Sequence, residues 1–318
     1  MEYVVFDLEW NSCYSKKKQK YINEIIEIGA VKLSENFEII SQFSMLVKPQ
    51  VGKKIKNNIQ RLTHISNEEL QIANNSFGHT YKMFAKFLKD CVLISWGEVD
   101  MVVLVENCEY FGLDKNIKDV TKYVDLQGYC QKHLNLEDPS KQLGLSTAAE
   151  MLNINIDDMQ LHRALVDSVI SANCLQKIHD KEMFGSCIKE IDDEFFKRIT
   201  FKNVFLTDTH NPLVKEEHLK VYCKKCGKTA QKKSQWIIRN KALKAEFYCE
   251  DCDVKYEGRI RIKLKYSGVT VAKVLKEIED KKEEENTEQN IEQNIEQNIE
   301  QNIEQNTEQN TEQNIEQE

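Results

Sequence analysis

The sequence predicts an α/β protein in which a mixed sheet carries helices on its faces and a small β domain follows. Three strand-like segments separated by short turns lie within residues 4–49, and later apolar runs alternate with helical patterns. Strands that come first and then alternate with helices are typical of a mixed sheet covered on both sides. Two Cys-x-x-Cys pairs further along the chain indicate a separate, metal-stabilised part.

The predicted elements of the first part follow in order along the chain. VVFDLEW (4–10), NEIIEIGAVKL (23–33) and FEIISQFSMLVKP (37–49) read as three strands. Ser66 followed by Glu69 predicts a capped helix start, and a second helical pattern places aromatic and leucine side chains on one stripe. The remaining predicted elements are a buried strand DCVLISW (90–96), a helix ending near Gly112, a strand and helix in KYVDLQGYC (122–130), and helices in LGLSTAAEMLNI (143–154) and HRALVDSVISANCLQKI (162–178).

Composition divides the 318 residues into four segments. We expect a first domain over 1–182, a connector over 183–218, a small basic domain over 219–268 and an acidic tail over 269–318. The tail holds 15 acids and 4 lysines, so residues 1–268 carry +3 although the whole chain carries −8. Residues 287–314 repeat seven TEQN or IEQN units, which form no stable helical face, and we expect the tail to be disordered.

Charge and cysteine usage narrow the class of protein. Residues 219–268 hold 14 Lys and Arg against 5 acids, which predicts an anionic polymer as partner. No apolar run is long enough to span a bilayer and the N-terminus lacks the pattern of a signal peptide, so we expect a cytoplasmic protein without a membrane partner. In that compartment the ten cysteines are expected to be buried thiols or metal ligands.

Acidic residues interrupt several apolar segments, where burial of an unpaired carboxylate is energetically unfavourable. Asp7 and Glu9 share one face of the first strand, Asp100 follows the buried strand, and Asp167 lies in an apolar helix five residues after His162. Each has a simpler interpretation, such as an exposed strand edge, a helix-dipole acid or a capping histidine. Together they predict one cleft at the carboxyl ends of the strands that binds Mg²⁺ or Mn²⁺.

The segments FDLEW, SWGEVD and HRALVD resemble the three motifs of the DEDDh 3′-to-5′ exonuclease superfamily. EIIEIGAVKL, VKP and LTHIS resemble the intervening segments, with His64 where the family has glycine. The resemblance covers residues 1–180 and is nearest the Eri-like, RNA-trimming branch. It implies an RNase H-like fold and hydrolysis of nucleic acid from a free 3′ end to nucleoside 5′-monophosphates.

The resemblance also implies a role for each matching residue. Asp7 would bridge two Mg²⁺ or Mn²⁺ ions, Glu9 and Asp167 would complete the site of the ion that carries the attacking water, and Asp100 would support the second ion. His162 would act as the general base. Such a pair of ions activates the nucleophile and stabilises the departing oxygen, and a histidine suits proton abstraction near neutral pH.

The four paired cysteines predict a structural zinc site. Cys223 and Cys226 are separated by 22 residues from Cys249 and Cys252, a spacing typical of a four-cysteine zinc ribbon, with a redox pair as the alternative. The segment between the pairs is strongly basic and contains Trp236. We expect the ribbon to hold a phosphate backbone, with Trp236, Tyr248 or Tyr256 either stacking on bases or filling the small core.

Three functions are compatible with these observations. The first is a metal-dependent 3′-to-5′ exonuclease acting on a strand with a free 3′ end, expected to be single-stranded, with RNA favoured over DNA. The second is an inactive exonuclease fold that binds nucleic acid as an adaptor, and the third is a DNA proofreading or repair exonuclease. Retention of all four acids and the histidine favours an enzyme.

Overall fold

The computed structural model describes residues 1–114, 120–136, 142–155 and 162–278. The chain forms two compact units, one over Met1–Phe201 and one over Lys202–Glu318. The acidic repeat expected to be disordered and most of the loop after Ile154 lie outside the described residues.

The first unit is built on a mixed sheet of six strands in the order β3-β2-β1-β4-β5-β6. The first three strands pair antiparallel, β4 and β5 join in parallel to β1, and β6 closes the edge antiparallel. This confirms the predicted meander followed by strands that alternate with helices. The strands are β1 Glu2–Ser15, β2 Lys20–Leu33, β3 Ile39–Leu46, β4 Cys91–Ser95, β5 Lys122–Asp125 and β6 Lys189–Glu190.

Nine described helices accompany this sheet. Ser66 accepts from the Glu69 amide and the Glu69 carboxylate accepts from the Ser66 amide, which confirms the predicted capped helix start. Gly112 ends α4 in the left-handed conformation, as predicted. The helices are α1 Asn57–Thr63, α2 Asn67–Ala73, α3 Phe77–Phe87, α4 Val99–Phe111, α5 Leu126–His133, α6 Leu145–Met151, α7 Ala164–Ile178, α8 Lys181–Cys187 and α9 Asp193–Ile199.

Alternate side chains of β1 enter cores on opposite faces of the sheet. Val4, Phe6 and Leu8 pack with residues of α3, α4 and α9, whereas Val5 packs with residues of α5, α6, α7 and α8. The odd-numbered face of β1 therefore looks toward α7. Asp7 and Glu9 follow Val5 on this face, which places both acids beside the start of α7.

The start of α7 lies directly against β2 at Gly29. A Cβ added to Gly29 would lie 2.1 Å from the carbonyl carbon of Ala164 and from the amide nitrogen of Leu165. The Ser168 hydroxyl also donates to the Gly29 carbonyl at 3.1 Å. Because only glycine permits this approach, the identity of residue 29 fixes how closely the helix sits on the sheet.

The second unit is an antiparallel sheet in the order β13-β12-β11-β9-β8, with β10 pairing to β11 and β7 to β12. Its core contains Phe247, Tyr256 and Ile260 together with cysteines of the two pairs. The elements are β7 Val204–Phe205, α10 Glu216–Leu219, β8 Val221–Tyr222, β9 Thr229–Lys232, β10 Ile237–Arg239, β11 Ala242–Cys249, β12 Val254–Lys265 and β13 Gly268–Glu277.

The segment boundaries differ from expectation in three places. Residues 202–218, expected as connector, belong to the second unit, where β7 pairs with β12 and Leu206 enters the core. Residues 183–201, expected as connector, belong to the first unit, because β6 pairs with β5 and the apolar pair Phe195 and Phe196 enters its core. Residues 269–277, expected as tail, form most of β13, which pairs along β12. The sequence pattern did not predict β13 because this strand interleaves apolar side chains with lysines.

Within the described ranges, no helix has both the length and the apolar character needed to cross a bilayer.

The contact at Gly29 generates a stability prediction. Gly29→Ala forces the backbone of α7 away from β2 and is expected to lower the free energy of unfolding by about 3 kcal/mol, the upper end of ordinary overpacking costs. Urea unfolding followed by circular dichroism measures this change. Gly78→Ala in α3 is the matched control: its nearest atom would lie 4.0 Å away, and alanine favours helix by up to about 1 kcal/mol. Equal unfolding free energies for the two variants would contradict the proposed role of Gly29.

Candidate active site and cysteine cluster

Asp7 and Glu9 occupy the part of β1 where its pairing with β2 becomes irregular. Glu9 lies opposite Glu27, and immediately beyond this pair the register shifts, so that Trp10 faces Ile25. Such a bulge bends a strand and re-aims its side chains. Two acids of β1 and one of β2 are thereby concentrated at one place on the sheet.

Asp100 reaches the same region from α4. It lies in the first turn of this helix and is only 5% exposed. Its Oδ1 accepts a hydrogen bond of 3.3 Å from the Leu8 amide, which belongs to the residue between Asp7 and Glu9. This bond ties the beginning of α4 to the centre of β1.

Asp167 lies in the first turn of α7, and His162 lies two residues before this helix begins. Glu9, His162 and Asp167 each offer a ligand atom, and these atoms lie within 4.8 Å of one another. Asp167 is 8% exposed, whereas His162 is exposed and has a left-handed backbone with φ of 64°. The helix begins at Ala164, two residues later than the sequence pattern predicts. His162 lies in the turn before the helix, where its left-handed backbone is unusual for a residue other than glycine.

The acids interact strongly because they are withdrawn from water. Burial raises the pKa of Asp7 well above its usual range, and the charges of Asp100, Asp167 and Glu9 add to the shift. Burial and neighbouring acids raise the pKa of Glu9 to about 8. Burial likewise raises the pKa of Asp100 to about 7 and the pKa of Asp167 to about 6, although backbone hydrogen bonds to both acids oppose these shifts.

The donor set fits divalent cations that prefer oxygen. The clustered groups are carboxylates with one imidazole nearby, and burial and the neighbouring acids disfavour their ionised forms, which raises their pKa values. Mg²⁺ and Mn²⁺ favour carboxylate oxygens, and a bound cation would favour the ionised acids. Asp7 and Asp100 are not in the group of three ligand atoms within 4.8 Å. Asp7 precedes Glu9 by two residues in β1, and Asp100 accepts a hydrogen bond from the Leu8 amide between them.

Glu27 and Arg163 complete the site and were missed by the sequence prediction. Glu27 is 1% exposed and accepts from Arg163 Nε at 3.2 Å, from Arg163 Nη2 at 2.9 Å and from the Ala164 amide at 3.0 Å. Glu27 thus caps α7 from outside the helix. It also forms an ion pair with Arg163, whose charge partly opposes the rise in the pKa of Glu9. The available signal was a lone acid in the apolar run IIEIGAV.

The four paired cysteines of the second unit form one cluster. Their sulfur atoms lie within 4.8 Å of one another, and Cys226 Sγ is 3.5 Å from Cys249 Sγ. Gly227 has φ of 73°, which suits the tight turn after the first pair, and the Lys225 amide donates to Cys223 Sγ at 3.3 Å. Four sulfurs converging in this way suit tetrahedral Zn²⁺.

The Tyr256 hydroxyl lies 3.2 Å from Cys223 Sγ. Mainly through this contact, the pKa of Cys223 is lowered to about 6, which favours the thiolate that a metal requires. Tyr256 is 0% exposed, so of the two alternatives, stacking on bases or filling the small core, the core position holds for this residue. The remaining cysteines are buried or half-buried thiols, as expected: Cys13, Cys91, Cys108, Cys130, Cys174 and Cys187.

The fold and the carboxylate cluster define a hydrolase of the exonuclease class. The sequence model of the RNase T exonuclease family matches residues 4–175, more than half of the chain, and the chain belongs to this family. This match confirms the resemblance to the DEDDh exonucleases. The six-stranded mixed sheet and the cluster of four cysteines confirm the predicted fold class.

Individual relatives are more distant. The chain is 27% identical over 114 residues to the "Probable 3′-5′ exonuclease KapD" of Bacillus subtilis (strain 168), a match that covers 34% of this chain and 53% of that protein. The chain thus spans about half the length of the curated relative it matches. It shares the fold of a full-length 3′-exonuclease, with TM-score 0.50 and 18% identity over 60% of this chain and 91% of the other.

It also shares the fold of the nuclease domain of 3′hExo, a DEDDh family member solved with rAMP. The TM-score is 0.50 and the identity 19%, over 60% of this chain and 96% of that domain.

The crowded acids generate a prediction about pH and metal. Because the folded pKa values of Glu9, Asp100 and Asp167 exceed those of an unfolded chain, near 4, the folded state holds protons that the unfolded state releases. Without added Mg²⁺, the melting temperature of the first unit is therefore expected to fall as pH rises from about 5 to about 8. Added Mg²⁺ is expected to raise it more at the higher pH, where the acids are ionised.

Thermal unfolding at both pH values, with and without Mg²⁺ and with no chelator that would remove zinc, measures the effect. Asp100→Asn is expected to flatten the fall and to reduce the gain from Mg²⁺. A gain from Mg²⁺ that is equal at both pH values would contradict a cation site made of these acids.

Proposed function

We propose that the chain is a metal-dependent 3′-to-5′ exonuclease that hydrolyses nucleic acid, RNA in preference to DNA, to nucleoside 5′-monophosphates. The observation that carries this proposal is the convergence of Glu9, His162 and Asp167 beside Asp7 and Asp100, on elements that only the fold brings together. Membership of the exonuclease family supports it. RNA is favoured because the segments around Asp100 and in β2 resemble the Eri-like branch; carboxylates themselves do not distinguish the two sugars.

Asp7, Glu9, Asp100 and Asp167 would hold two Mg²⁺ or Mn²⁺ ions. When bound, such ions make water a stronger nucleophile and offset the charge that develops on the departing 3′ oxygen. Asp100 accepts a hydrogen bond from the Leu8 amide, and Asp167 is part of α7. These two acids would therefore hold the ions at defined positions. The geometry is therefore set by packed strands and helices rather than by a mobile loop.

His162 would take the proton from the attacking water. It lies within 4.8 Å of ligand atoms of Glu9 and Asp167 and is exposed, so that a substrate phosphate and a water can reach it. The Glu27 and Arg163 ion pair holds the backbone that immediately follows the histidine. Arg163 is thus a positioning residue, and its charge is engaged by Glu27.

The substrate is expected to be a strand with a free 3′ end, and the cysteine cluster is expected to hold one structural Zn²⁺. Zinc would fold the second unit around its small core, since the cluster joins β8, β11 and the turns that follow them. The role of this unit is to hold nucleic acid, whereas the chemistry belongs to the first unit.

Asp7→Ala tests the proposed chemistry. Removal of this carboxylate is expected to lower hydrolysis by about 10³-fold or more while leaving nucleic-acid binding largely intact. A time course on matched 5′-labelled RNA and DNA oligonucleotides with Mg²⁺ measures the ladder that shortens from the 3′ end. Glu68→Ala, an acid in the first turn of α2 that is not part of the cluster, is the matched control and is expected to retain full activity. Full activity of the Asp7 variant would refute the assignment, and binding without cleavage by the unaltered chain would favour an adaptor.

His162→Asn tests the general base. Asparagine tolerates the left-handed backbone at this position, so the fold should persist while proton abstraction is lost. We expect kcat to fall about 10²- to 10⁴-fold with little change in KM. His79→Asn in α3 is the control. A kcat equal to that of the unaltered chain would exclude His162 as the base.

A further inference from the structure

The sheet of the second unit has one apolar face and one basic face. Even-numbered residues of β12, such as Tyr256, Ile260 and Ile262, are buried in the core, and the odd-numbered residues point outward. We call the outward side of β12, together with the outward residues of β7 and β11 beside it, the outer face. Five of the six odd-numbered residues of β12 are basic: Lys255, Arg259, Arg261, Lys263 and Lys265.

The outer face brings like charges together. Lys244 of β11 lies directly opposite Arg259, an arrangement that is unfavourable between cations. Glu257, the one acid among the outward residues of β12, pairs with Lys244 at 2.7 Å. The face therefore retains a row of positive charge from Arg259 to Lys265 that this acid does not balance.

An aromatic ring lies within this row. Phe205 of β7 is directly opposite Lys263 and is half-buried. Three cations surround its ring, with Lys241 Nζ at 5.2 Å, Lys263 Nζ at 5.6 Å and Arg261 Cζ at 6.0 Å from the centroid. At the other end of the face, Tyr248 has Lys233 Nζ 5.4 Å from its ring.

This combination is informative because either part alone has a simpler explanation. Lysines scattered on a surface keep a protein soluble, and an apolar ring on a small sheet extends its core. Here the ring sits on the side away from the core, between cations that repel one another. A polyanion with flat, stackable groups relieves both features at once, since its phosphates neutralise the cations and its bases cover the ring.

We propose that the outer face binds single-stranded nucleic acid, with phosphates on Arg261 and Lys263 and a base against Phe205. The identification of the ligand as the enzyme's own substrate rests on the proposed function. The site differs from the expected stacking on Trp236, because that side chain packs edge-on against Phe247 at 5.8 Å on the opposite side of the sheet. A single strand is specified because a duplex offers phosphates but no exposed base faces.

Fluorescence anisotropy tests the proposal with the full-length, zinc-loaded chain carrying Asp7→Asn, so that the probe is not cut. The probes are a labelled oligouridylate of about 12 nucleotides and its duplex with oligoadenylate. Arg261→Gln with Lys263→Gln is expected to raise the Kd for the single strand at least about tenfold. The slope of log Kd against log salt is expected to fall by about 1.4, since each phosphate contact on a single strand contributes about 0.7.

Phe205→Leu separates stacking from charge. It is expected to raise the Kd for the single strand about fivefold or more, without changing the salt slope and without affecting the duplex. The matched control is Lys225→Gln with Lys232→Gln, which removes two charges that do not belong to the outer face. Lys225 pairs with Glu277, and Lys232 lies over the ring of Trp236. Zinc content and melting temperature are measured for every variant to establish that the second unit is folded.

Equal affinities of the Arg261 and Lys263 double variant and the control would overturn the proposal. Equal binding of duplex and single strand, insensitive to Phe205→Leu, would overturn the single-strand assignment. Binding only to vesicles containing anionic lipid, lost in the same double variant, would assign the face to a membrane instead. Intact binding without hydrolysis by the chain with native Asp7 would refute only the enzyme, whereas intact hydrolysis without binding to this face would refute only the inference.

Discussion

Mutual repulsion among carboxylates crowded at one place on the sheet is the constraint on which the first unit depends. Asp100 and Asp167 are buried and Asp7 and Glu9 are half-buried, and burial together with the charge of neighbouring acids raises the pKa of each. A fold gains nothing in stability from such an arrangement, because burial of uncompensated charge is costly. The surrounding structure must therefore hold the acids in place, and their charge must be offset either by bound protons or by a bound cation.

The means of holding the acids lies mainly between β2 and α7. Gly29 permits the two backbones to approach, Ser168 bonds the Gly29 carbonyl, and Glu27 caps the helix while engaging Arg163. On the other side of β1, the Leu8 amide fixes Asp100. Asp100 and Asp167 thus lie on helices whose first turns are held against the sheet by these contacts, and Asp7 and Glu9 lie on β1 between them.

Much of this arrangement could be predicted from the sequence, and the failures have physical causes. The parity of β1 places Asp7 and Glu9 on one face, and the cap at Ser66 and the stop at Gly112 follow from local chemistry. Glu27 was overlooked because its partner Arg163 is 136 residues away in the chain, and local patterns do not report such pairing. Phe205 escaped notice for the same reason, since its cations come from β12 and the turn before β11.

The number of cations that the chain binds shows whether the acid cluster is a metal site. Titration of the zinc-loaded chain with Mn²⁺, followed by electron paramagnetic resonance of the free ion at a pH above the raised pKa values of the acids, gives the number of bound ions. We expect two Mn²⁺ per chain, competed by Mg²⁺ and lost when Asp7 is replaced by alanine. No saturable Mn²⁺ binding, or binding unchanged by that replacement, would contradict the account.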